Sequence, residues 1–475
     1  MKVDFGRNIP DIKGLAALCG GEIPGYIDPA SLTTPVASLC TDSREASVGT
    51  CFIAIRGEKV DGHAFISRAA ACGAVCALAE EVPADAAAFP IIVVDNVIAA
   101  LGRMAEAYNR TSGAKIAAVT GSVGKTSTKE MIAAVLGSAN REYHTKGNFN
   151  SVIGMPLSLV AMPEGTEFAV IEMGMSHLGE VRSMTMAARP DVAVVTTIGT
   201  SHLESLGTRE NIARAKLEIA EGLNPEGVLL LCGGEPLLAN HFLKDPRTRY
   251  FSPEDLASDY RAENIRTEDG GTVFDAYTRG KILRDVRINV LGRHNVAAAL
   301  AAIAVGQIFG VAEEDIRRGL AGYAPVGLRQ QIEKIGPYTL VCDCYNASPE
   351  SMRAACEVLK TDSSAAGGRS IAVLGDMLEL GENSDGFHRG VGEYFARAGV
   401  DRIFTFGVRA KSIGEGAESV RPGMTSVRTE TDDDAAARTA QDVCAALRPG
   451  DVVLVKASRG IKAERIAEAI RKILA

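Results

Sequence analysis

Ile116-Ala117-Ala118-Val119-Thr120-Gly121-Ser122-Val123-Gly124-Lys125-Thr126-Ser127 is the stretch whose reading decides the fold. An apolar run leads into a turn bracketed by two glycines. A lysine and two hydroxyls follow, and then Met131, Ile132, Val135 and Leu136 at helical spacing. That is the pattern of a buried strand, a tight turn and a helix. Backbone N–H groups and the helix dipole at such a junction favour an anion. Lys125 would reach the terminal phosphates of a nucleotide, and the Thr126 hydroxyl would ligate Mg²⁺. Gly121, Ser122, Gly124 and Ser127 belong to the same cradle. The full phosphate-loop spacing wants a glycine where Val119 stands, so this loop is short. Taken alone, a strand–turn–helix with a chance Gly-Lys-Thr is the competing reading.

Outward from this stretch, strands and helices alternate. Further strands are expected at Ala169–Glu172, Val192–Thr196 and Val228–Leu231, giving a parallel sheet with crossover helices. From Arg249 to Val290 the texture changes. Asp269-Gly270-Gly271 and Thr278-Arg279-Gly280-Lys281 are turn signals between short strands, so antiparallel hairpins flank the parallel core. A Gly/Pro-containing segment, Ala321 to Gly327, reads as a linker. Beyond it, Thr339–Asp343, Ile371–Leu374, Arg402–Phe406 and Val452–Val455 are strands of a Rossmann-like unit. Before the loop, residues 1 to about 112 read as a small α/β unit. It has a helix at Gly14–Gly21, and strands at Cys51–Ile55, Ala74–Leu78 and Ile91–Val94. The fold class is α/β in three domains, 1–112, 113–325 and 326–475.

The 475 residues exceed what one core can organise. The net charge of −8 carries no basic block, which argues against nucleic acid or an anionic membrane as partner. Ten cysteines show no zinc-like pairing, so they are expected to be buried free thiols in a reducing cytosol. The N-terminal Met-Lys-Val-Asp-Phe-Gly has no export-type apolar region, and no apolar run is long enough to span a membrane. A cytoplasmic monomer acting on small molecules is the expectation.

Several polar residues end the predicted strands, where sites of parallel sheets collect. Glu172 and His202 could reach a metal beside a γ-phosphate, and Mg²⁺ prefers the carboxylate. A satisfied loop residue is the other reading of His202. Lys216 lies on an amphipathic stretch, where a salt bridge to Glu218 is its ordinary alternative. Asn148 and Asn150 suit sugar hydroxyls or peptide amides, or simply make a turn. Asn295 could read an adenine edge or begin the Ala-rich helix. In the last third, Asp343, Asn346, Asp376, Glu379, Lys456, Ser458 and Arg459 form a polar rim. Arg329, just past the linker, could swing onto a phosphate. Asp42-Ser43-Arg44 and the Arg56–His63 stretch are polar strand ends of the first unit.

Together these motifs resemble the Mur ligase family over nearly the whole chain. The resemblance rests on Thr120–Ser127, Gly147–Pro156, Glu172-Met173-Gly174, the span from Ser201-His202 to Ile219, and Gly292–Asn295. Asp343–Pro349, Leu374–Gly381 and Lys456–Arg459 complete it. It implies ATP-driven amide formation through an acyl phosphate, with D-alanyl-D-alanine added to UDP-N-acetylmuramoyl-tripeptide. That is the last cytoplasmic step towards a peptidoglycan precursor. It assigns Lys125, Lys216 and His202 to catalysis, and Thr126, Glu172 and His202 to Mg²⁺, with two ions expected. Lys216 would be carbamylated. Asn295, Arg329 and Asp343 would hold the nucleotide, and Ser43 and Arg44 the UDP end of the substrate. Asn148, Asn150, Asn346, Lys456, Ser458 and Arg459 would contact the substrates. A sister ligase adding one amino acid, and a folylpolyglutamate synthase-like ligase, are the alternatives. A nucleotide-gated switch is a rival of another class. The sequence departs from the family's pattern at Ser348, where an asparagine is expected, at Ala298, at Cys232–Glu235 and at Ala457.

Overall fold

In a computed structural model, which describes residues 1–57, 59–86, 89–239 and 245–475, the chain forms three sheets in sequence order. The first contains β1 (Lys2–Asp4), β2 (Ser38–Cys40), β3 (Thr50–Ile53), β4 (Cys76–Ala79) and β5 (Ile91–Val93), side by side in that order. Only β1 runs antiparallel to its neighbour. Ile12–Cys19 is the expected early helix, stopped by Gly20 in the left-handed conformation.

The middle sheet is built from β6 (Lys115–Thr120), β7 (Glu142–His144), β8 (Phe168–Glu172), β9 (Val192–Val195) and β10 (Val228–Cys232). It continues through β11 (Thr248–Ser252), β12 (Tyr260–Glu268), β13 (Gly271–Tyr277) and β14 (Ile282–Ile288). The strand order is β14-β13-β12-β11-β10-β9-β6-β8-β7. The expected hairpins turn at Asp269–Gly270 and Thr278–Lys281 and are antiparallel. β11 corrects the expectation for that flank, because it pairs parallel with both β10 and β12. β6, β8 and β9 are buried on both faces, so they read as unbroken apolar runs. The helix Lys125–Leu136 and the Ala-rich helix Arg293–Phe309 pack on each other and on this sheet.

The third sheet comprises β15 (Gln331–Ile335), β16 (Tyr338–Asp343), β17 (Ser370–Gly375), β18 (Arg402–Phe406), β19 (Thr425–Arg428) and β20 (Val452–Lys456), in the order β15-β16-β20-β17-β18-β19. Only β15 is antiparallel to its neighbour. Separate apolar cores lie on its two faces.

The first two units are joined by more than the chain. The helix Gly154–Val160 follows the phosphate-loop helix in sequence, yet its Leu157 and Val160 belong to the core of the first unit. Gly6 N–H donates to Val160 O, and Arg7 donates to the carbonyls of Met162 and Tyr108. All ten cysteines are free thiols; Cys72 is exposed and Cys444 half-buried, against the expectation of burial. Among the described residues no helix is long and apolar enough to cross a membrane.

Candidate active site

The strand β6 delivers Thr120 to the sheet rim, level with Val195 of β9, and Val119 lies opposite Glu172 of β8. The loop that follows is tied down by the end of β9. Ser122 N–H donates to Thr197 O, Val123 N–H to Thr197 Oγ1, and Thr196 Oγ1 to Val123 O. Gly121 (φ 148°) passes so close to Thr196 that a Cβ would lie 1.8 Å from its hydroxyl. Gly124 (φ 88°) starts the helix with no side-chain cap. The first-turn amide groups of Lys125, Thr126 and Ser127 therefore face the cavity without intrahelical partners. Ser122 Oγ is buried with no hydrogen-bond partner among the described residues. Lys125 Nζ bends back to Gly121 O at 2.7 Å. Desolvation lowers its pKa, and the Glu172 carboxylate opposes that shift. Uncapped amides, an orphaned hydroxyl and a lysine held only by loop carbonyls are the donor set a polyphosphate needs.

Glu172 is buried, and each of its oxygens is held. Thr126 Oγ1 donates to one at 2.9 Å and Asn150 Nδ2 to the other at 2.7 Å. Asn150 therefore stands beside the carboxylate rather than at an open sugar subsite. Lys216, on the helix Arg209–Leu217, is fully buried, and its Nζ makes no hydrogen bond or ion pair among the described residues. Burial holds its pKa well below the ordinary value, and the Lys125 charge adds to the effect. The salt bridge to Glu218 is not formed, because that carboxylate accepts from the Gly179 and Arg182 amides. Glu172, Thr126 and His202 line one cavity, and its oxygen-rich donors suit Mg²⁺.

The opposite wall comes from the third sheet. Asp343 and Lys456 are register neighbours on β16 and β20, and Lys456 Nζ reaches Asp343 at 2.5 Å. It also donates to Asn346 O. Arg329 stacks on Tyr345, 3.8 Å from the ring centroid. Both walls close a cavity of about 360 Å³ that contains Ser122, Lys125, Thr126, Asn150, Glu172, His202, Arg329, Asp343, Asn346 and Lys456. His294, Gln330 and Tyr345 also line it and were not singled out from sequence. His294 and Tyr345 lie within the quoted motifs Gly292–Asn295 and Asp343–Pro349, whereas Gln330 lies in none of them.

Other predicted residues are not brought into the cavity. Asn148 is exposed on the preceding loop. Asn295 is buried and spends its amide on Leu291 O and Gln330 Oε1, so it positions Gln330 instead of facing the cavity. Ser458 braces the loop after β17 by accepting from Leu378 N–H. Arg459 is paired with Glu464. Asp376 turns away from the rim, and its carboxylate accepts from Ala410 N–H. Ser348 caps the helix Pro349–Ala366 in a capping box with Ser351, which accounts for serine at that position.

Ser43 and Arg44 lie in the first unit, where Arg44 forks onto Asp42 and holds that carboxyl well below its usual range. Asp61, His63 and Glu81 have ligand atoms within 4.8 Å of one another. That cluster is already closed: Arg56 pairs with Asp61 and Glu81, and both ring nitrogens of His63 are used, on Asp61 and on Glu80 N–H. Glu58, in the same loop, lies outside the described residues.

Residues 119–306 match the Mur ligase middle domain, 329–459 the Mur ligase glutamate ligase domain, and 35–109 the Mur ligase family catalytic domain. A UDP-N-acetylmuramoyl-tripeptide–D-alanyl-D-alanine ligase of Bacillus subtilis is 40% identical over 96% of this chain and 97% of its own length. The enzyme of that name from Escherichia coli is 33% identical, again over 96% and 97%. Among solved structures, MurF from Acinetobacter baumannii superposes with a TM-score of 0.89 at 29% identity, covering 98% of this chain and all (100%) of that one. MurF from Thermotoga maritima in complex with ADP gives 0.82 at 28% identity, covering 92% and 97%. A short phosphate loop facing a buried carboxylate and a partnerless lysine is thus set in a chain whose likeness to these enzymes runs nearly end to end, and the protein belongs to the Mur ligase family.

Proposed function

We infer that the protein is an ATP-dependent ligase that adds D-alanyl-D-alanine to UDP-N-acetylmuramoyl-tripeptide. The observation that carries the chemistry is the single cavity in which an uncapped helix start and Lys125 face Glu172 on one side and Asp343, Lys456 and Arg329 on the other. A carboxylate is a poor acyl donor, because it is anionic and has no good leaving group. ATP supplies a phosphoryl group that makes the tripeptide's terminal carboxylate an acyl phosphate, and the dipeptide amine then displaces phosphate.

Residues of the chain position and neutralise. The Lys125–Ser127 amides and Ser122 Oγ hold phosphate oxygens, and Lys125 leaves Gly121 O for the terminal phosphate. Thr126, Glu172 and His202 would hold Mg²⁺, with a second ion alongside. Magnesium, when bound, would withdraw charge from the phosphates of ATP and of the acyl phosphate. Lys216, with its amine neutral, would add to CO₂ and lose a proton to solvent, and the carbamate so formed would offer oxygen ligands to the ions. Asp343 and Gln330 serve the nucleotide, Arg329 turns from Tyr345 to the phosphates, and Asn346 and Lys456 lie towards the dipeptide. The first unit, with Ser43 and Arg44, holds the UDP end. One chain supplies both cavity walls, in keeping with a monomer, and all substrates are cytosolic metabolites. The domains divide at about 112 and 325.

The test is phosphate release with a panel of acceptors and amines. D-Ala-D-Ala with the UDP-linked tripeptide should be fastest. Equal or faster turnover with a free amino acid would place the protein among the sister ligases.

A further inference from the structure

His202 and Glu379 meet across the junction of the middle and third sheets. His202 Nδ1 lies 2.8 Å from Glu379 Oε2. Both residues adopt the left-handed conformation, each at φ 63°, which disfavours any residue with a Cβ. The two strained positions are thus the two whose side chains join. The main chain is docked beside them, with Glu204 N–H donating to Glu379 O at 3.3 Å and Gly381 against Glu204. A second contact, Thr200 Oγ1 to Glu350, lies on the same rim. The loops therefore meet without needing the Glu379 side chain.

We propose that Glu379 is a positioning residue for the metal site of the middle domain. Docking of the third domain delivers a carboxylate that fixes the ring and tautomer of His202. The proposal rests on His202 being a metal ligand. An imidazole binds a metal through its lone pair. When Nδ1–H is donated to a carboxylate, Nε2 carries that lone pair and is turned outward to a metal. His202 faces the cavity with Glu172 and Thr126, whereas Glu379 comes from the loop after β17. The ligands all belong to the middle domain, but His202 is held in its ligating orientation only with the third domain in place. By linkage, metal binding then favours docking by the same factor that docking favours metal.

The test is Mn²⁺ binding to the full chain, followed by electron paramagnetic resonance without nucleotide, in the native protein and in Glu379→Ala, Glu379→Gln and His202→Ala. Thermal melting checks that each variant is folded. Glu379→Ala should weaken Mn²⁺ binding roughly tenfold or more. Glu379→Gln keeps an acceptor without the charge and should fall between. In ¹⁵N-histidine spectra, the Nδ1–H signal absent from His202→Ala should also be lost from Glu379→Ala. Weakened binding in His202→Ala with native binding in Glu379→Ala overturns the role of Glu379 alone. Native binding in His202→Ala removes the metal-ligand reading, and this proposal with it.

Discussion

Two helices begin at the cavity in opposite ways. Lys125–Leu136 and Pro349–Ala366 each leave a buried parallel strand through a polar turn, and both starts face the same space. The first begins at Gly124 with no side-chain cap, while the second begins at Ser348 inside a reciprocal box, with Ser351 N–H on Ser348 Oγ and Ser348 N–H on Ser351 Oγ. A helix start that is to bind an anion must leave its amides unspent. One that has satisfied its own amides can present only the side chains around it. The middle domain accordingly offers backbone donors, and the third domain offers Asp343, Asn346 and Lys456.

The largest effect that would test this contrast is Lys125→Ala. It should slow ATP-dependent phosphate release by roughly a thousandfold while leaving the melting curve intact. Near-native turnover would show that the open helix start is not where phosphate is held. Next is Gly121→Ala, whose Cβ would clash with a Thr196 hydroxyl pinned to Val123 O. It should cost more than about 2 kcal/mol in urea unfolding and abolish binding of a non-hydrolysable ATP analogue.

Lys216 sharpens the comparison from a third side, being a buried amine with no carboxylate to hold its charge. Burial holds its folded pKa well below the ordinary 10.5, so between those values the unfolded chain binds more protons, and stability rises with pH. In CO₂-free buffer Lys216→Met should melt higher than the native protein at neutral pH, with the advantage fading as pH nears 10.5. No advantage at neutral pH would mean that the lysine charge is compensated in the folded protein. The smallest effect belongs to Ser348→Ala, which should lose about 1 kcal/mol of third-domain stability and leave the KM for ATP nearly unchanged. A large rise in that KM would make the sealed start a nucleotide contact after all.

Much of the middle and third sheets was legible because buried parallel strands are unbroken apolar runs. β18 has the bounds expected from sequence, and β8, β9, β10, β16, β17 and β20 lie within a residue of them. In the first unit the strand expected at Ala74 begins at Cys76, because alanine and cysteine runs carry little periodicity. Lys125, Thr126 and Glu172 could be picked out because each sits where a strand meets the rim. Asn295 and Ser458 face away from the cavity for a different reason. Sequence shows that an amide or hydroxyl is near the site, but not which neighbour has already taken it. The Arg329–Tyr345 stack and the His202–Glu379 pair depend on how separate elements dock, which no local pattern encodes.

The short helix Gly154–Val160 gives the molecule a lopsided modularity. Its Leu157 and Val160 complete the first unit's core, and at Gly6 a Cβ would come within 2.2 Å of the Met162 carbonyl oxygen. A fragment ending at 112 would thus lack part of its own interior. Recombination between homologues with a crossover near 112 would therefore pair an interior with a foreign plug. The start of the chain must consequently change in step with a helix forty residues downstream of its border.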